Sequence, residues 1–390
     1  MNKNKVAVFT YSLVGGGAER VAANVLCELH KSMEVELILV RNDDIVYDIP
    51  SNCKTTILSS LTKDLSIYRL LLLPNLSLKL FRYLNKNNIG VIISFMEFPN
   101  WLVTFMRFYG WSGKIIICEQ VAPIQEFNPK TIRGKVGRKL NQFLYPKANK
   151  IIACSKGVQH ELEHLLGINN NYSIIYNPIN LKAVAAQIQN TIAEKYDKFT
   201  FINVSGFRAQ KNHLLLIEAF AKIENDDCQL ILVGKNFGDI IGETIVKKIV
   251  ELGMEKKIIL AGFTTNPYTY LLNADCFVMS SDYEGLPNVL LEAMYCNLQI
   301  ISTDCRTGPR EIMAPNSAFY NQCTQLEQNE FGYLTTVGNA DELYRAMQLI
   351  LNNKKSKNEM ALVTQLRCKD FDLENIGKQY TNEVLLFTNN

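Results

Sequence analysis

Residues 280–294 read Ser-Ser-Asp-Tyr-Glu-Gly-Leu-Pro-Asn-Val-Leu-Leu-Glu-Ala-Met, placing Glu284 and Glu292 on either side of a turn that opens a helix. The apolar run Cys276 to Met279 just before them has the pattern of a buried strand. Pro287 stands where a first helical residue belongs, because its missing N–H costs nothing there. Beyond the turn Gly285-Leu286, the amides of Asn288, Val289 and Leu290 are expected to point outward at the positive end of the helix dipole, where a diphosphate can sit. Glu292, one turn further in, is placed to reach a ribose hydroxyl. Two glutamates at this spacing also suit an ordinary solvated helix. Two further motifs, in order along the chain, give them meaning.

The first is Val204 to Asn212, Val-Ser-Gly-Phe-Arg-Ala-Gln-Lys-Asn, after the strand pattern Phe199 to Val204 and before a helix starting near Asn212. Gly206 permits a tight turn and a close backbone approach. Arg208 and Lys211 project from one loop, and two neighbouring cations repel unless an anion lies between them. A nucleotide-sugar diphosphate fits, with the guanidinium binding as a fork and the ammonium as a point charge. The second is Gly15-Gly16-Gly17-Ala18-Glu19-Arg20, which follows the apolar strand Val6 to Phe9 and opens a helix. Its spacing is not G-x-G-x-x-G, and the second strand, Val35 to Val40, is not closed by the acidic residue of a dinucleotide site. Both observations argue against hydride transfer.

With these residues in view, the chain resembles a family 4 glycosyltransferase of the bacterial surface-polysaccharide kind over nearly its whole length. The stretches Gly262-Phe263-Thr264-Thr265-Asn266-Pro267-Tyr268 and Asp304-Cys305-Arg306-Thr307-Gly308-Pro309-Arg310-Glu311-Ile312 match that group in order and spacing. The resemblance implies an α/β protein of the GT-B fold, with two Rossmann-like domains whose parallel sheets face a central cleft. It implies a retaining, metal-independent hexosyl transfer from a nucleoside diphosphate sugar, the donor being a substrate and no cofactor being required.

The catalytic residues so implied are Glu284, Arg208 and Lys211. The donor site takes Gly16, Gly17, Gly206, Arg208, Lys211, Gly262, Phe263, Thr264, Glu284, Gly285, Leu286, Asn288, Val289, Leu290 and Glu292. Glu284 contacts the donor sugar, Glu292 the ribose, and Gly262 to Thr264 lie near the base. Many relatives carry a histidine at the end of a first-domain strand. Here that region reads Ile117-Cys118-Glu119-Gln120-Val121-Ala122-Pro123, and none of His30, His160, His164 and His213 lies in it. Glu119 or Gln120 is expected to fill the role, with Glu97 and Asn100 as acceptor contacts; otherwise Glu119 is a hydrogen-bonded loop carboxylate.

A chain of 390 residues, 47% hydrophobic and 20% charged, suits two globular domains. Strand patterns alternate with helical ones throughout, as parallel sheets require. Besides those quoted, they fall at Val91 to Ser94, Ile115 to Cys118, Ile151 to Cys154, Gln229 to Val233, Ile258 to Ala261 and Gln299 to Ser302. The expected division is an acceptor-binding domain over 1–180, a donor-binding domain over 181–375 beginning with a linker stretch Leu181 to Ala193, and a helix over 376–390 crossing back to the first domain. The ten cysteines show neither zinc spacing nor a disulfide framework. No signal-peptide core opens the chain, so a cytoplasmic location is expected.

Charge is uneven. Residues 1–180 carry +8 and residues 181–390 carry −5, and the 21 residues from Lys130 to Lys150 hold seven cations and no acid. That run implies an anionic surface as partner. No nucleic-acid motif is present, so the inner face of a membrane is the expected surface, with peripheral attachment. The leucine-rich Ser66 to Lys86, interrupted by Pro74, is too charged to span a bilayer; its leucines either touch lipid or pack the core. A basic membrane-facing domain suits a lipid-linked, polyprenyl diphosphate acceptor, as in O-antigen or capsule assembly, and a uridine diphosphate sugar as donor. Two rivals remain: a sugar-nucleotide epimerase of the same fold, and a non-catalytic nucleotide-sugar-binding partner subunit.

Overall fold

Each of the ten apolar runs corresponds to a strand in the computed structural model, which describes residues 5–59, 69–191, 195–236, 238, 240–352 and 357–388. Residues 66–68 of the leucine-rich segment and 192–193 of the linker stretch lie outside these. The first sheet contains β1 (Lys5–Thr10), β2 (Val35–Arg41), β3 (Thr55–Ser59), β4 (Ile89–Phe95), β5 (Lys114–Glu119), β6 (Lys150–Ala153) and β7 (Tyr172–Ile174). The second contains β8 (Phe199–Val204), β9 (Cys228–Val233), β10 (Ile258–Gly262), β11 (Cys276–Met279), β12 (Gln299–Thr303), β13 (Glu327–Asn329) and β14 (Gly332–Thr335). The strands β3, β7, β13 and β14 carry no apolar run. Three of them form sheet edges, and a strand covered on one face only lacks the continuous apolar signature of a central one.

The strand orders are β3-β2-β1-β4-β5-β6-β7 and β10-β9-β8-β11-β12-β14-β13. Every pairing is parallel except β13 with β14. Both sheets are therefore Rossmann-like, with the order reversing between β1 and β4 and between β8 and β11. At such a reversal the two crossover connections leave in opposite directions and open a crevice beyond the carboxyl ends of the strands. In the second sheet the segments leaving that point are Val204 to Asn212 and Ser280 to Pro287. Two motifs about seventy residues apart in sequence thus become neighbours because β8 and β11 pair, Phe201 with Cys276 and Ile202 with Phe277.

The chain divides into two compact units, Met1–Pro178 with Leu373–Asn390, and Ile179–Asp372. In the first, Val21, Val25, Leu26 and Leu29 of the helix Gly17–His30 pack on β1, β2 and β4, and Ile376, Tyr380 and Val384 of the last helix, Leu373–Thr388, join the same core. In the second, Leu343, Ala346, Met347 and Ile350 of the helix Ala340–Asn352 join residues of β8, β9 and β11. The second unit starts and ends side by side: the Ile179 N–H donates to the Phe371 carbonyl at 2.9 Å.

The leucine-rich segment resolves in favour of packing. It forms one helix, Arg69–Lys86, that continues through Pro74 instead of breaking there. Leu73, Leu76, Leu80 and Leu84 lie on one buried face, and that burial offsets the backbone bond the proline removes. Leu70 and Leu71 remain exposed. No helix among the described residues is long and apolar enough to cross a membrane.

Candidate active site

The loops after β8 and β11 are bound to each other before any charged contact is considered. The Ser280 hydroxyl donates to the Lys211 carbonyl at 2.9 Å, and the Asp282 N–H to the Gln210 carbonyl at 2.8 Å. Gln210 Nε2 donates to the Tyr283 carbonyl at 2.7 Å, and Asn212 Nδ2 to Asp282 Oδ1 at 2.8 Å. Asn212 holds a left-handed backbone (φ 44°) and caps the helix His213–Ala221 by accepting from the Leu215 N–H. Asparagine tolerates that conformation and supplies the capping oxygen as well.

This frame delivers Lys211 Nζ to Glu284 Oε1 at 2.6 Å. The same oxygen accepts from Ser281 Oγ at 2.6 Å, and Glu284 Oε2 lies 3.4 Å from Gln210 Nε2. Glu284 is buried and Lys211 half-buried. The anion beside Lys211 is thus, within the protein itself, the carboxylate that the resemblance assigns to the sugar. An ammonium carries three donors, and among the described residues Glu284 takes one of them, leaving two for phosphate oxygens. Arg208 is exposed at the head of the turn Ala209–Lys211. His213, beside this loop, contributes no charge: burial, and then the Lys211 ammonium, lower its imidazole to about 4.

The helix Asn288–Tyr295 follows as expected, shifted by one residue. Pro287 is its N-cap with an extended backbone, and Glu292 is buried within it. The Leu290 N–H closes the first turn onto the Pro287 carbonyl at 3.0 Å, so it is not among the donors left for a ligand. Behind the turn, Thr307 Oγ1 donates to the Glu284 carbonyl and Thr303 Oγ1 to the Ser281 carbonyl at 2.6 Å. Gly308 has φ 93°, and a Cβ there would stand 2.7 Å from the Gly285 oxygen and 2.8 Å from Pro287 Cδ. Gly308→Ala is accordingly expected to cost about 2 kcal/mol from backbone strain alone, to push the Glu284 turn forward and to weaken donor binding. A melting curve and a nucleotide titration like those of the wild type would refute that.

Farther along the same segment, Arg310 is fixed by Asp304 Oδ2 at 2.6 Å and by Glu327 Oε2 at 2.7 Å. Gly206 lies in the loop beside Ser205, whose hydroxyl bonds Asn203 Oδ1 at 2.7 Å. Gly262 ends β10 with φ 76°, Phe263 is exposed, and the Thr264 hydroxyl is used internally, accepting from the Asn266 N–H at 3.0 Å.

In the first unit, the glycine loop already holds an anion. The buried Glu19 carboxylate accepts from the Gly15 N–H at 2.9 Å, the Gly16 N–H at 2.8 Å and Ser12 Oγ at 2.6 Å. What Gly16 and Gly17 retain for a ligand is their lack of side chains, since the Gly15 and Gly16 amides are committed. Glu97 begins the helix Glu97–Phe105, in which Asn100 is fully buried and donates to the Cys118 carbonyl at 3.0 Å. Glu119 ends β5 and so belongs to the strand, not to a loop. Its carboxyl accepts from Tyr145 OH at 2.6 Å and from the Gln120 N–H at 3.1 Å. Burial raises it to about 7, against the lowering effect of those bonds. Gln120 is buried next to it.

Sequence reasoning passed over Ser281, Gln210, Asn212, Thr307 and Gly308, although each lies inside or next to a quoted motif. Their signal was positional: Ser281 comes three residues before Glu284 and Gln210 one before Lys211. Only strand adjacency shows that they meet.

The chain is similar to known proteins over most of its length. Residues 15–183 match the family described as Glycosyltransferase Family 4, and residues 185–362 that described as Glycosyl transferases group 1. The chain is 32% identical over 383 residues, 98% of its own length and 99% of the relative's, to a Campylobacter jejuni protein named N-acetylgalactosamine-N,N'-diacetylbacillosaminyl-diphospho-undecaprenol 4-alpha-N-acetylgalactosaminyltransferase. It is 27% identical over 249 residues to a lipopolysaccharide 1,6-galactosyltransferase of Salmonella typhimurium, covering 56% of this chain and 67% of that one. Among solved structures, sucrose-phosphate synthase from Thermosynechococcus elongatus superposes with a TM-score of 0.83 at 18% identity, covering 99% of this chain and 100% of that one. The Anabaena protein HepE in complex with UDP-glucose superposes with a TM-score of 0.75 at 17% identity, covering 97% and 99%.

Proposed function

The chain belongs to the family 4 glycosyltransferases with the GT-B fold, and from that premise we propose that it transfers a sugar from a uridine diphosphate sugar to a lipid-linked oligosaccharide in surface-polysaccharide assembly. The donor is assigned to the second unit and the acceptor to the first. The Campylobacter relative's name, with its undecaprenol diphosphate acceptor, supports a polyprenyl diphosphate glycan as acceptor, and the UDP-glucose complex of HepE supports uridine. Such an acceptor is held in a bilayer, so the enzyme is assigned to the inner face of the cell membrane as a peripheral protein.

The observation that carries the reading is the Lys211–Glu284 pair, set at the carboxyl ends of two adjacent strands. In the reaction the bond from the anomeric carbon to the β-phosphate oxygen breaks, and negative charge grows on that oxygen. A cation already in place there lowers the barrier without having to reorganise. Lys211 and Arg208 supply this charge, and the proposal needs no metal ion. Retention is assigned to attack from the face the diphosphate leaves, the acceptor proton passing to the departing phosphate. Glu284 Oε1 is held by both Lys211 and Ser281, which favours a sugar-orienting role over a nucleophilic one. Glu292 is assigned to the ribose.

A thermal-shift panel tests the donor assignment. A ligand at a hundred times its Kd adds about 2.7 kcal/mol to the native state. Uridine diphosphate sugars are expected to raise the melting temperature by several degrees and guanosine or adenosine counterparts to leave it in place. Interconversion of nucleotide sugars without any lipid acceptor would show an epimerase instead.

A further inference from the structure

The helix Ile132–Leu144 is turned inside out. Its buried residues are Gly134, Gly137, Asn141 and Leu144, while Ile132 is 83% exposed, Val136 37% and Phe143 57%. Positions 132, 136, 139 and 143 lie along one stripe of a 3.6-residue helix, opposite the glycines. The glycines are there for contact. A Cβ on Gly134 would lie 1.9 Å from the Asn128 oxygen, and one on Gly137 2.1 Å from the Phe127 ring. Close packing of the inner face onto segment 127–128 thus leaves the apolar side chains outward.

The stripe continues onto its neighbour. Phe143 stacks on Phe108, itself 50% exposed, with ring centroids 5.7 Å apart. Lys147 Nζ sits 4.8 Å from the Phe143 centroid and 4.9 Å from that of Phe108, so an ammonium is held against two exposed rings. Lys130, Lys135 and Lys139 are exposed around the stripe, with Lys139 inside it. The acid beside it, Glu126, is paired with Arg133 at 3.2 Å. Two cations of the basic run are used internally: Arg138 donates to the Phe127 and Ile124 carbonyls, and Lys150 pairs with Glu383.

We infer that the outer face of Ile132–Leu144, with Phe108, docks on an anionic lipid bilayer, Ile132, Val136 and the two phenylalanines entering among the acyl chains and the lysines meeting phosphate headgroups. Exposed apolar residues in a row mark an interaction surface. Their interleaving with exposed lysines in an acid-free run matches an anionic lipid surface rather than a protein core. The inference deepens the membrane assignment above and rests on it.

The test is flotation of the full chain with vesicles of phosphatidylcholine containing phosphatidylglycerol, against vesicles of phosphatidylcholine alone, without donor or acceptor. The wild type is expected to float with the anionic vesicles and to be released by high salt, which screens the lysines. The double substitution Ile132→Ser, Phe143→Ser is expected to lower the bound fraction at least about tenfold, and Lys135→Glu with Lys139→Glu to abolish the preference for anionic vesicles. These exposed positions leave the core untouched, so both variants are expected to melt like the wild type. Equal binding to neutral and anionic vesicles would overturn the inference, as would unchanged flotation of the serine variant. So would a wild-type dimer that the serine variant converts to monomer, which would make the face a contact between copies. The nucleotide shift, measured on the same preparations, reports on the transferase reading separately.

Discussion

Replacing Lys211 by methionine is expected to lower the transfer rate by about two to three orders of magnitude, the loss that follows removal of one preorganised charge at a developing oxyanion. Methionine keeps the length of the side chain and removes only the ammonium. The effect is expected mainly in kcat, because charge on the bridging oxygen is largest in the transition state. A second consequence follows from the 2.6 Å contact with Glu284: without the ammonium, a buried carboxylate keeps Ser281 and Gln210 but loses its counter-ion. The double variant Lys211→Met, Glu284→Gln is therefore expected to fall short of the sum of the two single effects, as residues in direct contact do. A Lys211→Met enzyme within tenfold of the wild type would remove this ammonium from the chemistry. Full additivity would show that the pair does not act as a unit.

Glu119 makes the first unit lose stability as pH rises. Its carboxyl has an ordinary value of 4.5 and is pushed up to about 7, mostly by burial. Between those values the folded unit holds a proton that the unfolded chain has released, so this contribution is present at pH 4.5 and lost by pH 7. The shift corresponds to about 3 kcal/mol. Glu119→Gln keeps an acceptor for Tyr145 OH but cannot ionise. The stability difference, variant minus wild type, is expected to increase by about 3 kcal/mol between pH 4.5 and pH 8. Both tryptophans, Trp101 and Trp111, belong to the first unit, so their fluorescence during urea unfolding follows that unit alone. A pH-independent difference would mean that the carboxyl ionises freely in the folded chain.

Much of this protein was legible in its sequence. Central strands buried on both faces announce themselves as apolar runs, which is why β1, β2, β4, β5 and β6 were visible and the edge strands β3 and β7 were not. Arg208, Lys211, Glu284 and Glu292 were singled out as candidates because they stand at fixed distances from a strand end and a helix start. The diversion of the Gly15 and Gly16 amides to Glu19 was not foreseen. Nor was the closing of the Leu290 amide onto Pro287. Residue identities state how many donors a loop owns, whereas the folded path decides where they are used. The helix Ile132–Leu144 shows the same limit: its sequence was read for charge alone, and the packing of Gly134 and Gly137 on residues 127–128 turns its apolar positions to solvent.

By itself, the order of residues determined two halves of alternating strands and helices and a basic first half, because strand periodicity, turn residues and charge are local properties of a chain, while the GT-B fold and a nucleotide-sugar donor were expected from the family resemblance. The tertiary structure alone decided that Lys211 would reach Glu284, that Gly308 would lie against Gly285, and that Ile132 and Phe143 would face outward. Those outcomes depend on which strands pair and which helix face packs, and pairing between segments distant in sequence is set by the burial of the whole unit, not by any stretch within it.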